Sequence, residues 1–223
     1  MHTLLLQSLF PLLLITSFLS INVELSLSQY EQHTNCSKEI NCGGISLSYP
    51  FWGVNRANYC GPPGFEVECL ENVPMINISS ITYRILKTNS SAPSVTVARQ
   101  DYWETICPPT YVNTNINFSL LQFELCLVFH PEFPPFNPVD TRACTTGVNV
   151  PVFTTAALAL EANRTTIKDV VDGGFELGLQ IDNVKCNSCV QSAGTCGFNT
   201  INGGFSCFCL DQAYASTRKF LCH

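Results

Sequence analysis

The cysteines constrain this chain more than any other feature. There are 13 of them in 223 residues, and they fall into two groups. Cys36, Cys42, Cys60, Cys69, Cys107, Cys126 and Cys144 are widely spread, whereas Cys186, Cys189, Cys196, Cys207, Cys209 and Cys222 crowd together near the end. Cysteine at this density reads as a disulfide framework if the chain enters an oxidising compartment. The N-terminus points to such a compartment. Leu4 to Ile21 is an apolar run followed by Leu-Ser-Leu-Ser-Gln, the layout of a secretory signal peptide comprising residues 1–28. A retained anchor is the alternative, because the run approaches spanning length. Pro11 and the serine-rich exit favour cleavage.

Charge narrows the partners. The net charge is −6, or −5 once Glu24 has left with the signal, which makes a poor binder of nucleic acid or anionic membrane. No second apolar run is long enough to span a bilayer, and the terminal Arg-Lys-Phe-Leu-Cys-His lacks the hydrophobic tail of a lipid-anchor signal. The expectation is a soluble, secreted, extracellular protein with no membrane insertion after signal cleavage. Charged residues make up only 13% of the chain, so glycans would help to keep it in solution. Acceptor tripeptides stand at Asn35, Asn77, Asn89, Asn117 and Asn163. Asn35 is the doubtful acceptor, because its middle residue is Cys36 and early disulfide formation would hinder the transferase.

Local pattern reads mainly β. Ile-Ser-Leu-Ser-Tyr-Pro-Phe, Gly-Phe-Glu-Val-Glu-Cys, the Ile76–Lys87 run and Ser94–Arg99 are short, β-branched or aromatic, and bounded by turn formers. Alternation puts Ile81, Tyr83 and Ile85 on one face and Thr82 and Arg84 on the other. Phe-Glu-Leu-Cys-Leu-Val-Phe and Gly-Phe-Glu-Leu-Gly-Leu-Gln-Ile are further strand candidates. Helix is expected in Thr-Thr-Ala-Ala-Leu-Ala-Leu-Glu-Ala-Asn and in Thr-Thr-Ile-Lys-Asp-Val-Val-Asp, the latter begun by a threonine cap and stopped by Gly173-Gly174. The expected fold is mainly β and disulfide-rich, with one or two short helices. By composition, a domain boundary would fall in the proline-rich 131–138 stretch.

The last six cysteines follow C-x2-C-x6-C-x10-C-x-C-x12-C. With Gly-Phe-Ser-Cys-Phe-Cys at its centre, this segment, residues 186–222, resembles an EGF-like module. That resemblance implies the pairs Cys186–Cys196, Cys189–Cys207 and Cys209–Cys222. Four of these thiolates could instead hold zinc, but disulfides win in an oxidising compartment. Some EGF-like modules bind calcium through acidic residues just before the first cysteine. Here Asp182 and Asn183 are present with no acidic residue beside Cys186, so no metal is expected.

A wider resemblance rests on ordered motifs. Cys42-Gly43-Gly44, then Ile-Ser-Leu-Ser-Tyr-Pro-Phe-Trp, then Cys60-Gly61-Pro62-Pro63-Gly64-Phe65 and Cys69 resemble the galacturonan-binding domain of plant wall-associated receptor kinases, in their leaf-rust-resistance-locus branch. The Ile76–Lys87 run, Ser-Val-Thr-Val-Ala-Arg-Gln-Asp and Cys107 follow in order. Cys144, Val-Asn-Val-Pro-Val-Phe and Gly-Gly-Phe-Glu-Leu-Gly-Leu resemble the C-terminal region of the same ectodomains. The implied organisation is a galacturonan-binding-like domain over 29–106 and a C-terminal-like region over 107–223. The stretch between Cys107 and Cys144 looks shortened relative to the family. It leaves an odd cysteine, for which Cys126 or Cys144 is the candidate; the other eleven are expected in disulfides.

The chemistry implied is binding. No Gly-rich ATP loop, Val-Ala-Ile-Lys-like strand, His-Arg-Asp or Gly-x-Ser-x-Gly occurs, and His33, His130 and His223 have no nucleophile beside them. Neither an enzyme nor a cofactor is expected. The resemblance implies cell-wall pectin, or oligogalacturonides, as ligand. Such chains of carboxylates on sugar rings need cations and aromatic faces. Arg56, Arg84, Lys87 and Arg99 are the candidate cations, with Tyr49 and Trp52, then Tyr102 and Trp103, as stacking candidates. The bland reading is a core role for Tyr-Pro-Phe-Trp and an internal pair between Arg99 and Asp101. The alternative function is a scaffold or decoy that recognises a peptide or receptor ectodomain and no sugar, or a truncated form of a receptor-like Ser/Thr kinase.

Overall fold

The structure is a computed structural model that describes residues 30–89, 92–105, 108, 110–114, 121–123, 126–128, 148–210, 213–214 and 222. The expected signal segment, Cys107, Asn117, His130, the 131–138 stretch and Cys144 lie outside these residues, and Cys126 is described by its backbone alone. The fold is mainly β and disulfide-rich. It divides into two compact units: Met1–Glu39, Ser48–Pro62 and Asp182–His223 form one, and Ile40–Leu47 with Pro63–Ile181 form the other. The boundary expected at 106/107 falls inside the second unit.

The second unit is built on an antiparallel six-stranded sheet ordered β3-β4-β5-β6-β10-β7. Its strands are β3 (Val67–Leu70), β4 (Val73–Ile78), β5 (Ile81–Asn89), β6 (Ser94–Arg99), β7 (Leu121–Phe123) and β10 (Phe175–Leu179). Alternation sets the buried face: Val67, Ile76, Ile78, Ile81, Tyr83, Ile85, Val95, Val97, Phe175 and Leu177 are all buried. The Tyr83 and Phe175 rings meet edge to face with centroids 6.0 Å apart. Two tight turns join β3 to β4 and β4 to β5. Their central residues, Glu71-Asn72 and Ser79-Ser80, all have positive φ, as two-residue hairpin loops of the type I′ class require.

A small hairpin, β1 (Ile40–Cys42) and β2 (Ile45–Leu47), is tied to β3 by the Cys42–Cys69 disulfide. Gly43 at its tip is held at φ 57°, and a Cβ there would lie 1.9 Å from the Asn72 carbonyl oxygen. Only glycine fits both demands. A second pair, β8 (Cys126–Val128) with β9 (Pro151–Phe153), leads into helices α2 (Thr154–Glu161) and α3 (Ile167–Asp172). Val152, Ala157, Leu160 and Val170 bury one another there. Both helices lie where sequence places them. Thr166 caps α3 in a capping box with Asp169, and α2 ends with Asn163 in the left-handed region, its N–H bonding Leu160 O and that of Arg164 bonding Ala159 O.

The first unit is held by sulfur. Residues 30–37 form α1; α4 (Asn183–Gln191) precedes a three-stranded sheet of β11 (Thr195–Phe198), β12 (Phe205–Phe208) and β13 (Ala213–Tyr214). Neither α1 nor α4 is legible from periodicity, since both are short and carry cysteines. Cys36–Cys60, Cys186–Cys196, Cys189–Cys207 and Cys209–Cys222 are bonded, the last three being the pairs that the resemblance to an EGF-like module implied. Cys189, Cys196, Cys207 and Cys209 form the core, with Tyr49 and Phe205 packed on it. Beside them Phe208 packs on the Cys36–Cys60 bridge together with Trp52, Ala57 and Tyr59. Among the described residues no helix is long and apolar enough to cross a membrane.

Candidate ligand-binding face

The candidate cations have different fates. Arg56 is 4% exposed. Its Nε donates to Phe51 O at 3.0 Å, its Nη1 to Cys36 O at 2.5 Å and to Lys38 O, and its Nη2 to Cys60 O at 3.5 Å. It gathers the carbonyls of the loops around Cys36–Cys60 and presents nothing to a ligand. Burial pulls the guanidinium down to about 10, against the opposing pull of Glu39, so it stays charged at neutral pH. The structure corrects the assignment of Arg56 to a binding face.

Arg99 is corrected in the same way. It is 1% exposed and forks onto Asp101, with Nε to Oδ1 at 3.0 Å and Nη2 to Oδ2 at 2.6 Å. Its Nη1 donates to Val112 O and Thr114 Oγ1, and its guanidinium lies 4.8 Å from the Tyr102 ring centre. A bidentate pair inside the protein is a structural clamp.

Of the aromatics in the opening stretch, Tyr49 meets Phe205 edge to face at 5.9 Å, and burial, then Asp182, pushes its phenol up to about 12. Trp52 donates Nε1–H to Pro62 O at 2.8 Å. Phe51 is buried. This is core packing in the first unit. The zinc and calcium alternatives meet committed groups. Cys207, Cys209 and Cys222 lie within 4.8 Å of one another, but each is in a disulfide and has no thiolate to offer. Asp182 caps α4, accepting from Lys185 N at 3.0 Å and pairing with Lys185 Nζ at 2.7 Å.

What remains is on β5. Arg84 faces away from the core, half-buried, with its guanidinium 4.2 Å over the Trp103 ring. Its Nε is buried with no hydrogen-bond partner, and it makes no ion pair among the described residues. Lys87 is exposed nearby. Strict alternation would put Lys87 on the opposite face from Arg84, three positions away. A bulge between Ile85 and Lys87 shifts the register, so that Arg84 pairs with Ala98 and Lys87 with Thr96. Ala98 and Thr96 share a face of β6; so, therefore, do Arg84 and Lys87. The same face carries Asn77 (opposite Thr82), Asn89 (opposite Ser94) and Glu176 (opposite Thr96), whose Oε1 accepts from Ser94 Oγ. Every residue of β6 is buried, whereas Asn77, Lys87 and Asn89 are exposed, so the accessible part of this face is a ledge over β4 and β5. Sequence reasoning named Arg84, Lys87 and Trp103 but could not see the bulge that unites the two cations.

Two family models match the chain. Residues 36–99 match the family model described as wall-associated receptor kinase galacturonan-binding, and residues 129–212 match the one described as wall-associated receptor kinase C-terminal. The chain carries a wall-associated-kinase-like ectodomain. Its similar relatives are leaf rust 10 disease-resistance locus receptor-like protein kinases of Arabidopsis thaliana. The one named like 2.1 is 29% identical over 86% of this chain and 36% of the relative, and like 2.4 is 30% identical over 73% and 30%. The chain thus spans about a third of the length of the curated relatives it matches. No solved structure matches it. Within this wall-associated-kinase-like ectodomain, Arg56 and β3 to β6 with their turns, and so Arg84, Lys87 and Arg99, belong to the galacturonan-binding match. Trp103 lies just beyond it.

Proposed function

We propose that the chain is a non-catalytic, secreted binder of acidic pectin fragments in the plant cell wall, and that the Arg84–Lys87 ledge receives a ligand carboxylate. The Arg84–Trp103 pair carries this reading. A half-buried guanidinium without an anionic partner among the described residues, resting on an aromatic ring, is primed for a carboxylate. Lys87 adds a second charge on the same side of the strand. Two cations in a chain of negative net charge make for modest, salt-sensitive affinity.

Titration with de-esterified oligogalacturonides in low and high salt tests the reading. Binding should weaken as salt rises. Arg84→Ala should lower affinity by about tenfold and Lys87→Ala by a few-fold, in keeping with about 1.5 kcal/mol for a charge-assisted contact and less for an exposed one. No binding at either ionic strength would overturn it in favour of a protein-recognising scaffold or decoy.

A further inference from the structure

We infer that N-glycans on Asn77 and Asn89 fence the two ends of the cationic ledge, so that it admits short acidic oligosaccharides and rejects the mid-section of a long polymer. Register supplies the argument. Along the open face of β5 the order is Thr82, Arg84, Lys87, Asn89, with the bulge keeping all four on one side. Asn77, on the neighbouring strand, is directly opposite Thr82. One acceptor therefore borders the Arg84 end of the ledge and the other its Lys87 end. Both are exposed on the side that carries the cations.

The span between the two fences follows from strand geometry. Ser94 lies opposite Asn89, and Gln100 donates its N–H to Thr82 O, so the ledge runs alongside Ser94 to Gln100. At about 3.4 Å per residue that is about 20 Å. Buried β6 closes one flank, and the exposed carboxylate of Glu68 on the edge strand β3, in the row Glu68–Met75–Arg84–Ala98, repels a polyanion from the other. The two carbohydrate-bearing asparagines then define ligand length, while Arg84 and Lys87 define ligand charge.

This inference rests on the galacturonan reading, and the experiment keeps their failures apart. Wild type, Asn77→Gln, Asn89→Gln and the double variant are secreted from a glycosylating host, mapped by peptide mass, and titrated with a short and a long de-esterified oligogalacturonide. The expected result is glycan on both asparagines, unchanged affinity for the short oligomer, and a gain of at least about fivefold for the long one in the double variant. Enzymatic trimming of the glycans from folded wild type should reproduce that gain without any substitution. Unmodified Asn77 and Asn89, or equal affinities for both lengths in all forms, would overturn the fence while leaving the galacturonan reading intact. Absence of binding by every form would overturn both.

Discussion

At the scale of single residues, burial separates look-alike groups. Arg56 and Arg84 are both arginines near aromatic side chains, yet one gathers carbonyls from four residues and the other has an Nε without a hydrogen-bond partner among the described residues. Arg56→Ala would strand those acceptors and should cost about 3 kcal/mol or more, read as a large drop in unfolding temperature. Arg84→Ala should leave that temperature nearly unchanged. The same logic bears on Asn35. Asn35 Nδ2, the atom a glycan would occupy, donates to Tyr59 Oη at 2.8 Å, and its Oδ1 accepts from Lys38 at 3.1 Å. Peptide mapping of secreted protein should find Asn35 unmodified; full occupancy there would contradict this assignment. Glycine reads differently again. A Cβ on Gly194 would lie 2.6 Å from Cys207 Sγ and 2.9 Å from Cys189 Sγ, so the glycine serves the sulfur core. The left-handed position that ends α4 is then left to Ala193, at φ 62°. Ala193→Gly should stabilise by about 0.5–1 kcal/mol, and Gly194→Ala should destabilise, in the same thermal assay.

At the scale of elements, the β4–β5 hairpin carries most of the functional argument. Its two-residue loop places Ser79 at φ 51° and Ser80 at φ 66° without a glycine, at a cost of roughly 1 kcal/mol per residue. Ser80→Gly, which leaves the Asn77 acceptor intact, should raise stability by about 0.5–1 kcal/mol; a fall would mean the turn is not of this class. The hairpin also shows how far sequence reading reaches. The strands, the faces of Ile81–Ile85 and the cap of α3 follow from contacts within a few residues. The Ile85–Lys87 bulge does not, because it is fixed by pairing with β6, and it decides that Lys87 joins Arg84.

At the scale of the whole molecule, buried phenols predict an alkaline limit. Tyr49 in one unit and Tyr83 in the other are each pushed up to about 12, first by burial. A group whose folded value exceeds its unfolded value of about 10 stabilises fully below pH 10, and that contribution is lost as pH climbs from 10 towards 12. Tyrosinate absorbance and circular dichroism should therefore change together in that window in both units. Phenols that ionise near pH 10 with the structure intact would contradict the burial. Chain path matters at this scale too. The run from Ile40 to Cys69 contributes Ile40–Leu47 and the residues from Pro63 onward to the sheet unit, but Ser48–Pro62 to the sulfur-stapled unit.

By itself the sequence determined the disulfide-rich β character, the threonine cap of α3, and the alternation that turns Arg84 away from the core, while its resemblance to an EGF-like module implied the terminal cysteine pairs. These are short-range or covalent constraints, readable wherever periodicity or spacing is strong. Tertiary structure alone decided that β10 inserts between β6 and β7, that Arg56 and Arg99 close inward, and that Arg84 and Lys87 share a ledge. Strand partners far apart in the chain cost little more loop entropy than near ones, so local pattern cannot select them. A cation's role depends on which carbonyls and carboxylates those partners bring to it.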